Sequence, residues 1–247
     1  LSFSNQCSTN DGKCSHLLII VLNFFLTYSV SSSLEVSNES LQELMYNAVS
    51  SRLLMHAYIP QPSRTPESGY SDWLRSLLPN ELNSFLDRHV AMVINGKDHM
   101  DVAFDPSEFT EVCKFDLGKM YAASVMHGHF LARVHRRFKL EKRFESEHSM
   151  SMDSYMEKHG QTLNPLRAMQ CTQTVNVIER RVETLFGKAS IHADDACNNS
   201  GRSTRQSPNS RDIINIQLGS IKNLILHALT FGVLLWDAEC YFIPHDS

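Results

Sequence analysis

The stretch Leu117–Lys142, LGKMYAASVMHGHFLARVHRRFKLEK, constrains this chain more than any other. Leu117, Tyr121, Ser124, Gly128 and Leu131 follow a seven-residue repeat that Phe138 continues, the pattern of a helix with one face built for burial. The second half is built for water. Arg133, Arg136, Arg137, Lys139, Lys142 and Arg143 crowd the last turns, where cations complement the negative end of the helix dipole. Asp116 is the expected cap. Glycine costs about 1 kcal/mol against alanine inside a helix. Gly128, set beside Ala122, Ala123 and Ser124, therefore predicts a second helix passing close at that level.

The candidate for that second helix lies near the C-terminus. Ile221–Trp236, IKNLILHALTFGVLLW, is apolar nearly all round, which fits either a central core helix or a membrane span. A span needs about 20 apolar residues, and Lys222, Asn223 and His227 interrupt this one, so it reads as the core helix and no transmembrane span is expected. Gly219 opens it. A third strong helix is expected from Asn164-Pro165, a cap followed by proline, with Ala168, Cys171, Val175, Ile178, Val182 and Leu185 as its apolar stripe and Gly187 as its stop.

Weaker helical patterns cover Asn38–Met55, Asp72–Leu78 and Asn80–Val93. Glu145–Asp153 reads as a polar connector and Lys97–Phe115 as a loop. Ser190–Ile191 and Ile213–Leu218 read as two short strands that pair as a ribbon against the helices. The expected architecture is mainly α: a single helical-bundle-like domain over residues 38–243 with a minor two-stranded β ribbon. The polar loops 61–71 and 194–210 are its expected accessible segments. Residues 1–37, which hold the apolar run Leu17–Val30, form an irregular or apolar segment ahead of it, either a targeting element or an artefact of the gene model.

At 247 residues with 42% hydrophobic side chains, such a domain buries a core without a disulfide or metal staple. The six cysteines form no C-x-x-C pair, which points to a reducing compartment and packed or idle thiols, with Cys171 in the stripe of its helix. A net charge of −4 argues against a protein that coats nucleic acid.

No reaction is legible. There is no G-x-S-x-G elbow and no glycine-rich phosphate loop, so any serine–histidine or cysteine–histidine pair has to be made by folding. His127, His129 and His135 share the long helix, but residues two apart point about 200° apart. His127 and His135 share a face two turns apart, too far for one ion. No metal, cofactor or catalytic residue is expected, and the chain reads as a non-enzyme.

Three segments carry a resemblance: YAASVM with Gly128, Phe130, Leu131 and Arg136–Lys142; Ile178-Glu179, Glu183 and Leu185-Phe186-Gly187; and Thr230-Phe231-Gly232 with Leu235-Trp236-Asp237. In order and spacing these resemble the plant UV-B-induced chloroplastic protein family, a domain of unknown function, over roughly Leu41–Glu239. The family-matching core is Tyr121, Gly128, Phe130, Phe186, Gly187, Thr230, Phe231, Gly232 and Trp236. The resemblance implies a nuclear-encoded, stress-responsive plastid protein of chloroplast localisation without an established catalytic activity. It transfers no catalytic residues. The chain departs from the family in showing no usual transit peptide. It also has histidines at 127 and 129, near which the family has tyrosines, and His227, near which the family has an acid.

The resemblance also supplies candidate acids for the basic turns: Glu179, Glu183, Asp237 and Glu239. Asp237 or Glu183 is expected to pair with Arg133, Arg136 or Arg137 in internal ion pairs, in preference to a nucleic-acid role for these arginines. The functional expectation is a non-catalytic protein acting through an unknown protein partner. The alternative is a binder or enzyme for a small apolar ligand, such as a tetrapyrrole or pigment, in a cavity beside the last helix lined by Trp236, Phe231 and a histidine.

Overall fold

The computed structural model describes residues 38–54, 66–95, 105–144, 150–187 and 213–243. In chain order these form α1 (Asn38–Leu54), α2 (Pro66–Ser76), α3 (Asn83–Asn95), β1 (Phe109–Cys113), α4 (Lys114–Phe144), α5 (Met152–His159), α6 (Thr172–Phe186), β2 (Ile213–Gln217) and α7 (Leu218–Phe242). Single 3-10 turns lie at Asn80–Leu82 and Asn164–Arg167. The mainly helical architecture with one small ribbon is as the sequence predicts.

Helices α4 and α7 are the axis, packed along each other with backbones in contact at two reciprocal glycines. A Cβ on Gly128 would stand 2.9 Å from the Leu229 carbonyl carbon and 3.0 Å from its Cα. A Cβ on Gly232 would stand 2.8 Å from the His129 nitrogen. Each glycine is thus the hole for the other helix's backbone, and the close approach predicted at Gly128 is found. Every member of the predicted α4 stripe, from Leu117 to Phe138, is buried. Helices α1, α2, α3 and α4 all pack on α7, and α6 packs on α4 and α1. Helix α7 is long and apolar enough to cross a membrane, but 61% of its apolar window is buried within the domain. Each leucine so buried contributes about 1.5–3 kcal/mol.

The ribbon differs from expectation. The partner of Ile213–Gln217 is Phe109–Cys113, antiparallel, with Phe109 opposite Gln217 and Cys113 opposite Ile213; Ser190–Ile191 lies outside the described residues. Phe109–Cys113 has no alternating pattern of its own, so its strand character comes from pairing. The turn before it also caps α7. Leu218 N donates to Glu108 O at 2.9 Å and Gly219 N to Pro106 O at 3.0 Å, satisfying backbone groups that a helix start leaves open.

Other boundaries move for local reasons. Helix α2 starts at Pro66, inside the expected loop 61–71, because proline's fixed φ suits a first helical turn; residues 61–65, 194–210 and 1–37 lie outside the described residues. Asn80 opens a 3-10 turn after Pro79 and does not cap α3. Asp116 sits in the first turn of α4 and not ahead of it. Within the expected connector Glu145–Asp153, Ser151 caps α5, accepting from Ser154 N at 3.2 Å. Asn164-Pro165 makes only a 3-10 turn; α6 begins at Thr172, and Cys171 is its half-buried N-cap. Gly187, at φ 90°, ends α6 as predicted.

Candidate functional site

Polar side chains gather at three places where the helices meet. The first is buried between α4, α6 and α7. His129 Nε2 lies 2.9 Å from Glu239 Oε2, and Thr174 Oγ1 donates to the same oxygen at 2.6 Å. The indole of Trp236 stands edge-on to the His129 ring at 5.3 Å. A hydroxyl, an imidazole and a carboxylate in one cluster invite comparison with a hydrolase triad. The connectivity is wrong for one, because the hydroxyl bonds the carboxylate and not the imidazole that would have to take its proton. Thr174 is also fully buried.

The second cluster joins four helices. Tyr121 Oη and His227 Nδ1 lie 3.0 Å apart, and Arg181 donates to Tyr46 Oη at 3.3 Å and to Tyr121 Oη at 3.5 Å. The Arg181 guanidinium also lies over the Phe231 ring at 5.4 Å. Burial, reinforced by the adjacent Arg181 charge, pushes the His227 imidazole down to about 4. Burial also pushes the Tyr121 phenol up to about 12, against the pull of Arg181. At neutral pH the arginine therefore carries the charge among uncharged neighbours. Phe186 completes the cluster's wall, 5.6 Å from the Tyr121 ring.

The third place is a cavity of about 510 Å³ between α3, α4 and α5. His89 and His127 form one side, with rings stacked 4.3 Å apart at 12°. Phe85, Met92, Leu131 and Met156 supply apolar wall, and Arg88, Asp153 and Glu157 lie at the exposed mouth, the first two paired at 3.1 Å. His89 Nε2 lies 3.1 Å from Ser124 Oγ, so folding does make a serine–histidine pair. It is oriented against nucleophilic use. The Ser124 hydroxyl also has Met120 O in reach at 2.9 Å, and a proton given there makes His89 Nε2 the donor to Ser124. The His89 Nδ1 is then a bare lone pair, buried without a hydrogen-bond partner among the described residues. Burial holds both imidazoles below their usual range, His127 at about 4, with His89 and Arg167 adding to its depression.

A furrow of about 250 Å³ runs between α4 and α6, lined by Ala122, Met126, Met169, Val175, Ile178 and Val182, with Lys119 and Glu179 at its edges. The stripe predicted as α6's buried face therefore divides. Thr174, Val177, Ile178, Val182 and Phe186 are buried, but Val175 is only half-buried and Leu185 is 39% exposed. On the α4 side, Met126 is 46% exposed. Ala168 lies before the helix and takes no part in the stripe.

The arginines and acids pair differently from expectation. Asp237 bridges Arg52 of α1 at 3.5 Å, not Arg133, Arg136 or Arg137. Arg133 donates to the Leu166 and Ala168 carbonyls at 2.8 Å and lies over the Trp236 ring. Arg136 meets the Cys240 sulfur at 2.8 Å, and Arg137 bridges Glu141 one turn on at 2.7 Å. Glu179 and Glu183 enter no ion pair among the described residues. Local i,i+4 geometry and free backbone carbonyls outcompeted the long-range pairs that charge sign alone suggested. Glu239, the fourth acid, turned inward to His129.

Of the family-matching core, Tyr121, Phe130, Phe186, Thr230, Phe231 and both axial glycines are buried, and Trp236 is half-buried. Trp236 and Phe231 line neither the cavity nor the furrow. The sequence reading missed His89 and Arg181 as site residues. Their signal, a polar residue on an apolar helical face, is weak without knowledge of what lies opposite.

Comparison with known proteins bears out the family resemblance. The model of the family described as protein of unknown function (DUF760) matches residues 67–144. A UV-B-induced chloroplastic protein of Arabidopsis thaliana is 24% identical over 259 aligned positions, covering 82% of this chain. The chain spans 59% of the length of that relative. No solved structure matches.

Proposed function

We infer that this relative of the UV-B-induced chloroplastic proteins is itself a stress-responsive chloroplast protein without catalytic activity, acting through a protein partner. Chloroplast localisation rests on the relative's own. A non-catalytic role is supported by what the polar clusters do with their protons. Thr174 gives its hydroxyl proton to Glu239, Ser124 has a backbone carbonyl in reach of its own, and both hydroxyls are fully buried, away from any substrate. The buried bonds tie α4, α6 and α7 into a rigid frame.

The observation that carries the partner reading is the furrow between α4 and α6. An apolar helix face that the domain leaves partly open, edged by charges of both signs, is what an amphipathic helix of another protein docks against. Met126 and Met169 suit such a surface because their side chains are soft and adaptable. The basic end of α4 is no match for nucleic acid in this reading. Arg133, Arg136, Arg137, Lys139 and Lys142 all have internal partners.

The test is affinity capture from chloroplast extract with the wild-type chain and with Met126→Glu, alongside Lys158→Glu, an exposed position on α5, as a surface control. A partner that binds wild type and the control but not Met126→Glu supports the reading. A partner set unchanged by Met126→Glu, or no specific partner, defeats it. The alternative placed a ligand beside α7 at Trp236 and Phe231, residues that line neither of the two openings described above.

A further inference from the structure

We propose that the Arg181 guanidinium, where α1, α4, α6 and α7 meet, anchors a binding site for a small carboxylate, which accepts one N–H from each of its two terminal nitrogens. Arg181 does not line the furrow, and the site does not depend on the partner reading. Arg181, Tyr46 and His227 are each half-buried, so solvent reaches the cluster.

A cation in this setting calls for an acid, and the described residues supply none. Burial is the largest influence on Arg181 and opposes its charge, but contacts with the Tyr121 and Tyr46 phenols outweigh it and raise the pKa, so the charge persists. Its own helix face holds no acid: three and four residues away stand Val177, Ile178, Thr184 and Leu185. Glu183, two residues on, points away around the helix. From α1, Glu43 is taken by the adjacent Arg180 at 3.3 Å. The groups that do reach Arg181 are uncharged phenols and an imidazole, and the Phe231 ring lies under the guanidinium. A partly buried charge without a counter-charge is costly, and an anion from solution relieves it.

The donors left over select the anion. A guanidinium carries five N–H bonds. Nε directs its one at Tyr121, and Nη1 and Nη2 each direct one, at Tyr46 and His227. One N–H on each terminal nitrogen remains, and a planar carboxylate accepts such a pair with its two oxygens. The three contacts in place are long, 3.3 Å to Tyr46 and 3.5 Å to Tyr121 and to His227, so they position the guanidinium without neutralising it. One positive charge among uncharged groups matches one negative charge, which favours a carboxylate over the dianion of phosphate. Chloride has no second atom for the second bond.

The experiment is 1H–15N NMR of the arginine side chains and histidine rings in the full chain at pH 7, titrated at constant ionic strength with acetate and, separately, with acetamide, chloride and inorganic phosphate. Acetate is expected to move the Arg181 Nε signal to saturation and the His227 ring signals with it. The Arg180 signal, already paired with Glu43, should stay in place. Acetate should bind at least about tenfold more tightly than the three comparison probes, the worth of a charged hydrogen bond. Arg181→Lys keeps the charge and removes the fork, and should weaken acetate about tenfold, with circular dichroism reporting the fold. His227→Glu, whose side chain has the same reach, sets a carboxylate beside Arg181 and should abolish the acetate response; it serves if Arg181→Lys does not fold. An Arg181 signal unmoved by acetate, or a shift shared equally by Arg180, overturns the proposal. So does a comparison probe that binds as tightly as acetate, or acetate binding unchanged in either variant.

Discussion

Replacing Gly128 with alanine should destabilise the domain although alanine is the better helix former. Helix propensity alone credits the substitution with about 1 kcal/mol. Against that stands the Leu229 peptide group of α7, whose carbonyl carbon and Cα would lie 2.9 and 3.0 Å from the new methyl. Backbone cannot rotate aside as a side chain does, so the two helices must separate by several tenths of an ångström to about 1 Å. A gap of that size forfeits a quarter to a half of the dispersion energy of the contacts it opens. This is the largest helix pair of the fold, so the net cost should reach about 2–4 kcal/mol, at or above the usual range for overpacking. Gly232→Ala meets Val125 and His129 in the same way and should cost a similar amount. Because both methyls push the same two backbones apart, the double variant should lose clearly less than the sum. Urea unfolding followed by far-ultraviolet circular dichroism reads the effect as a midpoint lowered by roughly 1–2 M. A midpoint unchanged or raised in Gly128→Ala, or strict additivity in the double variant, would refute the interlocking-glycine account.

Glu239→Ala, which strands His129 and Thr174 in the core, should cost about 2–4 kcal/mol. Asp237→Ala, only two residues away on a side chain 56% exposed, should cost less than about 1 kcal/mol by the same assay. Stability should also fall with acid. His127 and His227 titrate near 4 when folded and near 6.5 when unfolded. The unfolded chain therefore binds more protons between those values, so their contribution is intact above about pH 6.5 and lost as pH drops toward 4. Each group accounts for roughly 3 kcal/mol across that window. Urea midpoints between pH 7 and pH 4.5 should show the loss, and His227→Phe should flatten the slope; an unchanged slope would show that His227 is not held neutral.

The sequence by itself determined the main helices and the axis, though not β1 or α5. The α4 stripe from Leu117 to Phe138 reported burial correctly because a seven-residue period has only one way to face a core. Gly128 announced a close neighbour because nothing else compensates a glycine in mid-helix. The apolar sequence of α7 placed it at the centre for the same kind of reason: a helix without a polar face has nowhere else to go. Partners were another matter. Asp237 chose Arg52, Glu239 chose His129 and Thr174, and Ile213–Gln217 chose Phe109–Cys113, since charge sign and strand propensity specify a kind of partner and not which one. The sites were the least legible. His89 and His127 stand on different helices, and only the packing of α3 against α4 stacks them and strips Nδ1 of a donor. The predicted α6 stripe is half covered because α4 reaches only part of its width, and periodicity records that a face is apolar without recording whether anything lies against it.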